Sequence, residues 1–259
     1  MGITISFGIQ KGGVGKTTTC AITAYLLAKE SRVLALDFDS QGNLTEFITR
    51  RDIYDFQNHT SLEAVKEQNP KPYIQQVSEN LDLLPAEDFL ATFSRWLYRE
   101  YKGDQTQVLA KTIQVVKNDY DYILIDLPPN LGDQTINGLT ASDYAIVILQ
   151  SEPFCYSALE RYLETIEIVQ KTPNPNIQLG GILCALNDSR TSIDNVILTK
   201  VREEYEDFVF NSVIKRRSRI KEYVLEGIKD QTKMDQTILE PYIKFVEELK
   251  ERVKQSGSL

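Results

Sequence analysis

The chain has 259 residues, 42% of them hydrophobic and 25% charged, the composition of an ordinary globular protein with an ample core. Its formal charge of −8 excludes a surface coated in positive charge, so any contact with nucleic acid has to be a local patch. No apolar run approaches the ~20 residues of a membrane span. The first strand pattern begins within three residues of the start, which we read as leaving no room for a signal peptide.

Residues 3–9 are an apolar run that predicts a buried strand, and residues 19–29 predict a helix. Between them stands Gln10-Lys11-Gly12-Gly13-Val14-Gly15-Lys16-Thr17-Thr18. Strand, glycine loop and helix are the setting of a phosphate-binding loop. Glycines let successive backbone N–H groups turn toward one anion, and the helix dipole adds positive potential there. Lys16 is placed to reach the β- and γ-phosphates, and the Thr17 hydroxyl to ligate Mg²⁺. The pattern departs from G-x-x-x-x-G-K-[ST] at its first glycine, which is Gln10, and carries a second lysine, Lys11.

A short apolar strand over 32–37 ends in Asp37-Phe38-Asp39-Ser40-Gln41-Gly42-Asn43. Acids at the carboxyl end of such a strand lie beside a phosphate loop in an open parallel sheet. Residues 50–72 are polar and irregular, with a short helix near 62–66, and His59 reads as a surface residue. A strand is expected over 81–84. Residues 88–118 look helical, with Phe89, Phe93, Trp96 and Leu97 on one core-facing side. Residues 122–126 are apolar and end in Asp126, the arrangement that delivers one carboxylate to a Mg²⁺ environment. Pro128 and Pro129 stiffen the segment after that acid.

Further strands are expected over 144–149, 179–186 and 208–214. A helix over 157–171 is stopped by Pro173 and Pro175. The three cysteines, Cys20, Cys155 and Cys184, are far apart and read as buried thiols, without disulfide or metal spacing. Five of the seven residues in Lys215-Arg216-Arg217-Ser218-Arg219-Ile220-Lys221 are basic. Such a cluster can neutralise DNA phosphates without reading sequence, or form a solvated turn paired with Glu203, Glu204 and Glu206. Residues 238–253 predict an amphipathic helix whose stripe of Leu239, Tyr242, Val246, Leu249 and Val253 packs back on the protein. The alternation predicts an α/β protein: a doubly wound, mostly parallel sheet flanked by helices, one domain over 1–259.

The loop at 10–18, the acids at 37–43 and the run Asp126-Leu127-Pro128-Pro129 through Asn137 together resemble the ParA family of deviant Walker A ATPases, over nearly the whole chain. The resemblance implies ATP and Mg²⁺ as cofactors. ATP would be held by Lys11, Gly12, Gly13, Val14, Gly15, Lys16, Thr17 and Thr18, with Asn187 at the adenine base, and the metal by Thr17, Asp39 and Asp126. Lys11 would cross a homodimer interface to the partner's ATP, and Asp39 would hold the attacking water. Lys11, Lys16, Asp39 and Asp126 are then the catalytic set. The resemblance further implies DNA segregation. An ATP-dependent sandwich dimer would grip non-specific DNA through Arg190, Lys215, Arg216, Arg217, Arg219 and Lys221, and a ParB-like partner would stimulate hydrolysis and release. The expected setting is cytoplasmic and nucleoid-associated. Ser40 replaces the family's usual proline, and the basic cluster is denser than usual.

The same ATP motifs serve MinD-like membrane-associated ATPases and cargo-positioning relatives. The final helix balances its lysines with Glu240, Glu247, Glu248 and Glu251, which disfavours a membrane surface. A metabolic relative is the third class. A nitrogenase-reductase-like enzyme needs cluster-ligating cysteines, which the scattered thiols do not supply, while an amidoligase stays open.

Overall fold

The first apolar run forms β1 (Ile3–Gly8) and is buried because strands cover both its edges. The computed structural model describes residues 2–151, 155–187, 192–215 and 217–256. After β1 come α1 (Lys16–Leu27), β2 (Val33–Asp37), α2 (Asn43–Thr49), α3 (Ser61–Glu67), β3 (Gln75–Gln76), β4 (Leu81–Leu84), α4 (Phe93–Arg99) and α5 (Val108–Gln114). The second half holds β5 (Tyr122–Asp126), α6 (Asp133–Thr140), β6 (Tyr144–Gln150), α7 (Cys155–Lys171), β7 (Gln178–Asn187), α8 (Ser192–Tyr205), β8 (Val209–Lys215), α9 (Ser218–Glu226) and α10 (Lys233–Ser256).

The strands form one sheet in the order β3-β4-β2-β5-β1-β6-β7-β8. Every pairing is parallel except that of β3, a two-residue edge strand that the apolar pattern does not mark. From β1 the chain first moves one way, to β2 and β4, and later the other way, to β6, β7 and β8. Right-handed crossovers then place helices on opposite faces. Accordingly α1, α2, α9 and α10 pack together, and α3 to α7 pack with one another. The order reverses beside β1, and ligands bind such sheets in the crevice outside the carboxyl ends at that point. Parallel register sets Asp126 opposite both Phe7 and Asp37, so two strand-end acids meet beside the loop that leaves β1.

Two local differences from the expected elements have identifiable causes. The helix expected over 88–118 is broken between Arg99 and Val108. There Asp104 Oδ1 accepts from the N–H of Thr106 at 2.9 Å and from its hydroxyl at 2.7 Å, a local turn that competes with helix. Phe93, Trp96 and Leu97 are buried as expected, whereas Phe89 precedes the helix and is 54% exposed. The last helix begins at Lys233 instead of 238, because the Thr232 hydroxyl accepts from the N–H of Asp235 and so caps its first turn. Its stripe of Leu239, Tyr242, Val246, Leu249 and Val253 is buried against β7, β8 and α1. Each such side chain contributes about 1.5–3 kcal/mol on burial. His59 is exposed, and Cys20 and Cys184 are buried free thiols; the side chain of Cys155 lies outside the described residues.

Candidate functional site

The loop after β1 turns through left-handed glycines, with φ of 75° at Gly13 and 90° at Gly15. A side chain there would strain the turn. Gly12 and Gly13 face open space, with nothing within 4 Å of where a Cβ would stand. Gly15 precedes α1, whose N-terminus has no side-chain cap and no acid in its first turn. Unpaired N–H groups and the dipole of a three-turn helix therefore point into that space, the arrangement an anion fills. Lys16 is only 7% exposed, and its ammonium donates to the Lys11 carbonyl at 3.1 Å. Burial pushes the pKa of this ammonium down, against the opposing pull of Asp126 and Asp39.

The Thr17 hydroxyl donates to Asp126 Oδ2 at 2.6 Å. Asp126 Oδ1 is buried without a hydrogen-bond partner among the described residues, as is Gln10 Oε1. A buried acceptor left unpaired beside a hydroxyl and an open phosphate cradle suits a hydrated Mg²⁺, which takes one or two protein oxygens and fills the rest with phosphate and water. Among the described residues no three His, Cys, Asp or Glu side chains cluster to hold a metal by themselves. The donor set therefore fits a magnesium nucleotide and not an all-protein metal cage.

The two acids of the β2 segment have different duties. Asp37 is fully buried and accepts from the N–H and hydroxyl of Thr45, both at 2.8 Å, and from the N–H of Asp39 at 3.2 Å. It thereby caps α2, whose own N-cap is a glycine, Gly42, without a side chain to do so. The Thr45 hydroxyl in turn accepts from the N–H of Ala86, tying α2 to the end of β4. Asp39 is 8% exposed, accepts from the N–H of Gln41 at 3.1 Å and lines the cavity. Asp37 braces α2, and Asp39 faces the cavity.

Burial raises the pKa of Asp37 to about 7, with the charge of Asp39 adding to it, and that of Asp126 to about 8, with the charge of Asp37 adding to it. Both sit above the ordinary 3.8 of the unfolded chain, so the folded state binds these protons more tightly. The nucleotide-free protein is therefore expected to lose stability as pH rises above 3.8 and through about 8, where both carboxyls ionise in place. Thermal melting in magnesium-free buffer checks this. A melting temperature that climbs steadily over the same span contradicts it.

The loop opens into a cavity of about 570 Å³. Its floor is residues 12–18, and its sides are Asp39, Gln41, Asn43, Glu46, Phe47, Pro129 and Gln150. Its last wall is α9, through Arg217, Ile220, Lys221 and Val224. A groove of about 760 Å³ runs between Lys29 and the start of α10, far from the loop and its acids.

The structure brings Lys16, Thr17, Asp39 and Asp126 together, and the main chain of Lys11 is built into the loop. The basic segment is divided. Lys215 is exposed at the end of β8, while Arg217 and Lys221 line the cavity. Arg219 pairs with Glu222, Glu226 and Asp235, not with the acids at 203–206. Arg190 and Arg216 lie outside the described residues, as does the side chain of Asn187, whose backbone ends β7. Sequence reasoning missed Glu46, Phe47, Ile220 and Val224 as cavity residues. The i, i+4 spacing of Ile220 and Val224 was the available signal for a short amphipathic helix.

A family model described as an AAA domain matches residues 2–179. The chain is 35% identical over 235 residues to the sporulation initiation inhibitor protein Soj of Bacillus subtilis, covering 88% of this chain and 89% of that protein. It is 33% identical over 230 residues to the chromosome partitioning protein ParA of Myxococcus xanthus, covering 86% and 78%. Among solved structures, cobyrinic acid a,c-diamide synthase from Mycobacterium smegmatis, with bound ATP analog and magnesium, superposes with a TM-score of 0.82 at 32% identity, covering 95% of this chain and 93% of that one.

Proposed function

The chain belongs to the ParA family of P-loop partitioning ATPases, and from that premise we propose that it is a nucleotide-gated DNA-segregation switch. In this reading it pairs with a second copy through bound ATP, grips non-specific duplex in that state, and lets go on hydrolysis. The observation that carries it is the Thr17–Asp126 contact beneath the uncapped start of α1 and the open glycine loop. Mg²⁺, held through Thr17 and Asp126 with Asp39 beside them, would neutralise charge on the β- and γ-phosphates. The chain's own residues do the rest. Backbone N–H groups of 12–18 cradle the phosphates, Lys16 fixes the γ end, Asn187 sits at the base, and Asp39 orients the water.

Lys11 would reach the partner's nucleotide, so pairing would double the basic surface around β8 and α9. On that surface Lys215 is exposed and Arg217 and Lys221 stand at its edge, with Arg190 and Arg216 as further candidates; Arg219 is reserved to carboxylates in this conformation. The named relatives of the chain support a ParB-like centromere-binding or adaptor protein as the partner that stimulates hydrolysis. No helix among the described residues is long and apolar enough to cross a membrane; the cytoplasmic, nucleoid-associated setting is part of this proposal and rests on the partitioning relatives.

A gel shift with random-sequence duplex tests this. Binding is expected with ATP and not with ADP, with a log–log salt slope of roughly −0.9 per phosphate contacted. Equal binding in every nucleotide state contradicts the switch. A second reading, a synthase of the kind the Mycobacterium smegmatis structure represents, draws on the 32% identity; it predicts no duplex binding in any nucleotide state.

A further inference from the structure

The basic segment after β8 does not present one surface. Arg219 turns away from the cavity: its Nε donates to Asp235 Oδ1 at 3.2 Å, and its terminal nitrogen meets Glu222 and, at 3.8 Å, Glu226. Asp235 is 1% exposed and also accepts from the Tyr223 hydroxyl at 3.1 Å and the Thr232 hydroxyl at 2.6 Å. A carboxylate so deep and so fully bonded does not move cheaply. It therefore fixes the rotation of α9 against the first turn of α10. Two residues further on, about 200° round the helix, Lys221 is turned to the opposite side. There it lines the cavity with Ile220 and Val224, and Arg217 joins it from the N-cap position.

Charge gives this placement a purpose. Without α9 the charged side chains of the cavity are Lys16, Asp39 and Glu46, one positive against two negative. Arg217 and Lys221 reverse that sign. A polyphosphate, itself strongly anionic, needs the reversed cavity.

We propose that Lys221, with Arg217, contacts the phosphates of a nucleoside triphosphate bound in the same protomer, and that Arg219 is the positioning residue that aims them. The proposal rests on the reading of the cavity as a nucleotide site. Nucleotide phosphate and duplex phosphate are the two sources of this ligand chemistry, and the assay separates them by leaving DNA out.

The test is binding of a fluorescent ATP analogue to the full-length protein with Mg²⁺ and no DNA. Lys221→Gln is expected to weaken binding roughly five- to tenfold, the scale of one charge-assisted contact in a partly open site. Lys244→Gln serves as the charge control, because Lys244 pairs with Glu240 on the exposed side of α10; it is expected to bind as wild type. Arg219→Gln is expected to weaken binding to a similar degree, and Arg219→Lys to recover part of it. The double variant Arg219→Gln/Lys221→Gln is expected to be little weaker than Lys221→Gln, because one residue acts through the other. Circular dichroism keeps misfolded variants out of the comparison. Wild-type affinity in Lys221→Gln overturns the contact, and fully additive losses overturn the positioning role. A wild-type protein that binds no nucleotide overturns the functional reading itself, a different outcome from either.

Discussion

Asp39→Ala is expected to keep nucleotide binding and lose turnover by about 10²- to 10⁴-fold, the range for a group that positions or activates a nucleophile. The structure makes this substitution clean. The neighbouring acid, Asp37, carries the local fold through its bonds to Thr45, whereas Asp39 makes one bond to the N–H of Gln41 and otherwise faces the cavity. Removing it therefore leaves α2 capped and the loop at 12–18 intact. It also removes one negative charge from the approach to the phosphates, so affinity is expected to hold or rise slightly. Phosphate release measured beside nucleotide affinity separates the two effects. Wild-type turnover in this variant would take Asp39 out of the chemistry.

Lys11→Ala is expected to abolish ATP-dependent pairing while sparing binding of the nucleotide to the single protomer. Two bonds that Lys11 makes within its own loop are main-chain: its N–H donates to the Ile9 carbonyl at 2.9 Å, and its carbonyl accepts from Lys16 at 3.1 Å. Alanine keeps both bonds. What it removes is the ammonium that would bridge to the partner's phosphates. Truncating a buried charge at an interface costs about 2–5 kcal/mol, which is roughly 30-fold or more in the pairing constant. Analytical ultracentrifugation of both proteins with a non-hydrolysable ATP analogue reads this directly. A variant that pairs like wild type contradicts the bridging role.

Much of the architecture was legible in the chain, because a parallel sheet buried on both faces writes its strands as continuous apolar runs. Residues 3–9, 32–37 and 122–126 are such runs, and two of the three end in the acid that the register brings to the loop. The glycine loop was legible because left-handed turns restrict residue type so strongly. The rest depended on partners distant in sequence. From sequence Asp37 could serve the site or cap the next helix, and it is its bonds to Thr45, which in turn holds Ala86, that mark it as the bracket of α2. The basic run at 215–221 looked like one patch, because nothing local to it discloses that Asp235 draws Arg219 inward and turns Lys221 outward. The break after Arg99 hinged on a side-chain turn at Asp104 that helical periodicity does not register.

The central claim is that a bound triphosphate joins two copies of this chain. Multi-angle light scattering of the wild-type protein with ATP analogue, with ADP and without nucleotide tests it most directly. The account predicts twice the protomer mass with the triphosphate and a single protomer mass in the other two states. A single protomer mass throughout, with the triphosphate shown to be bound, would contradict it.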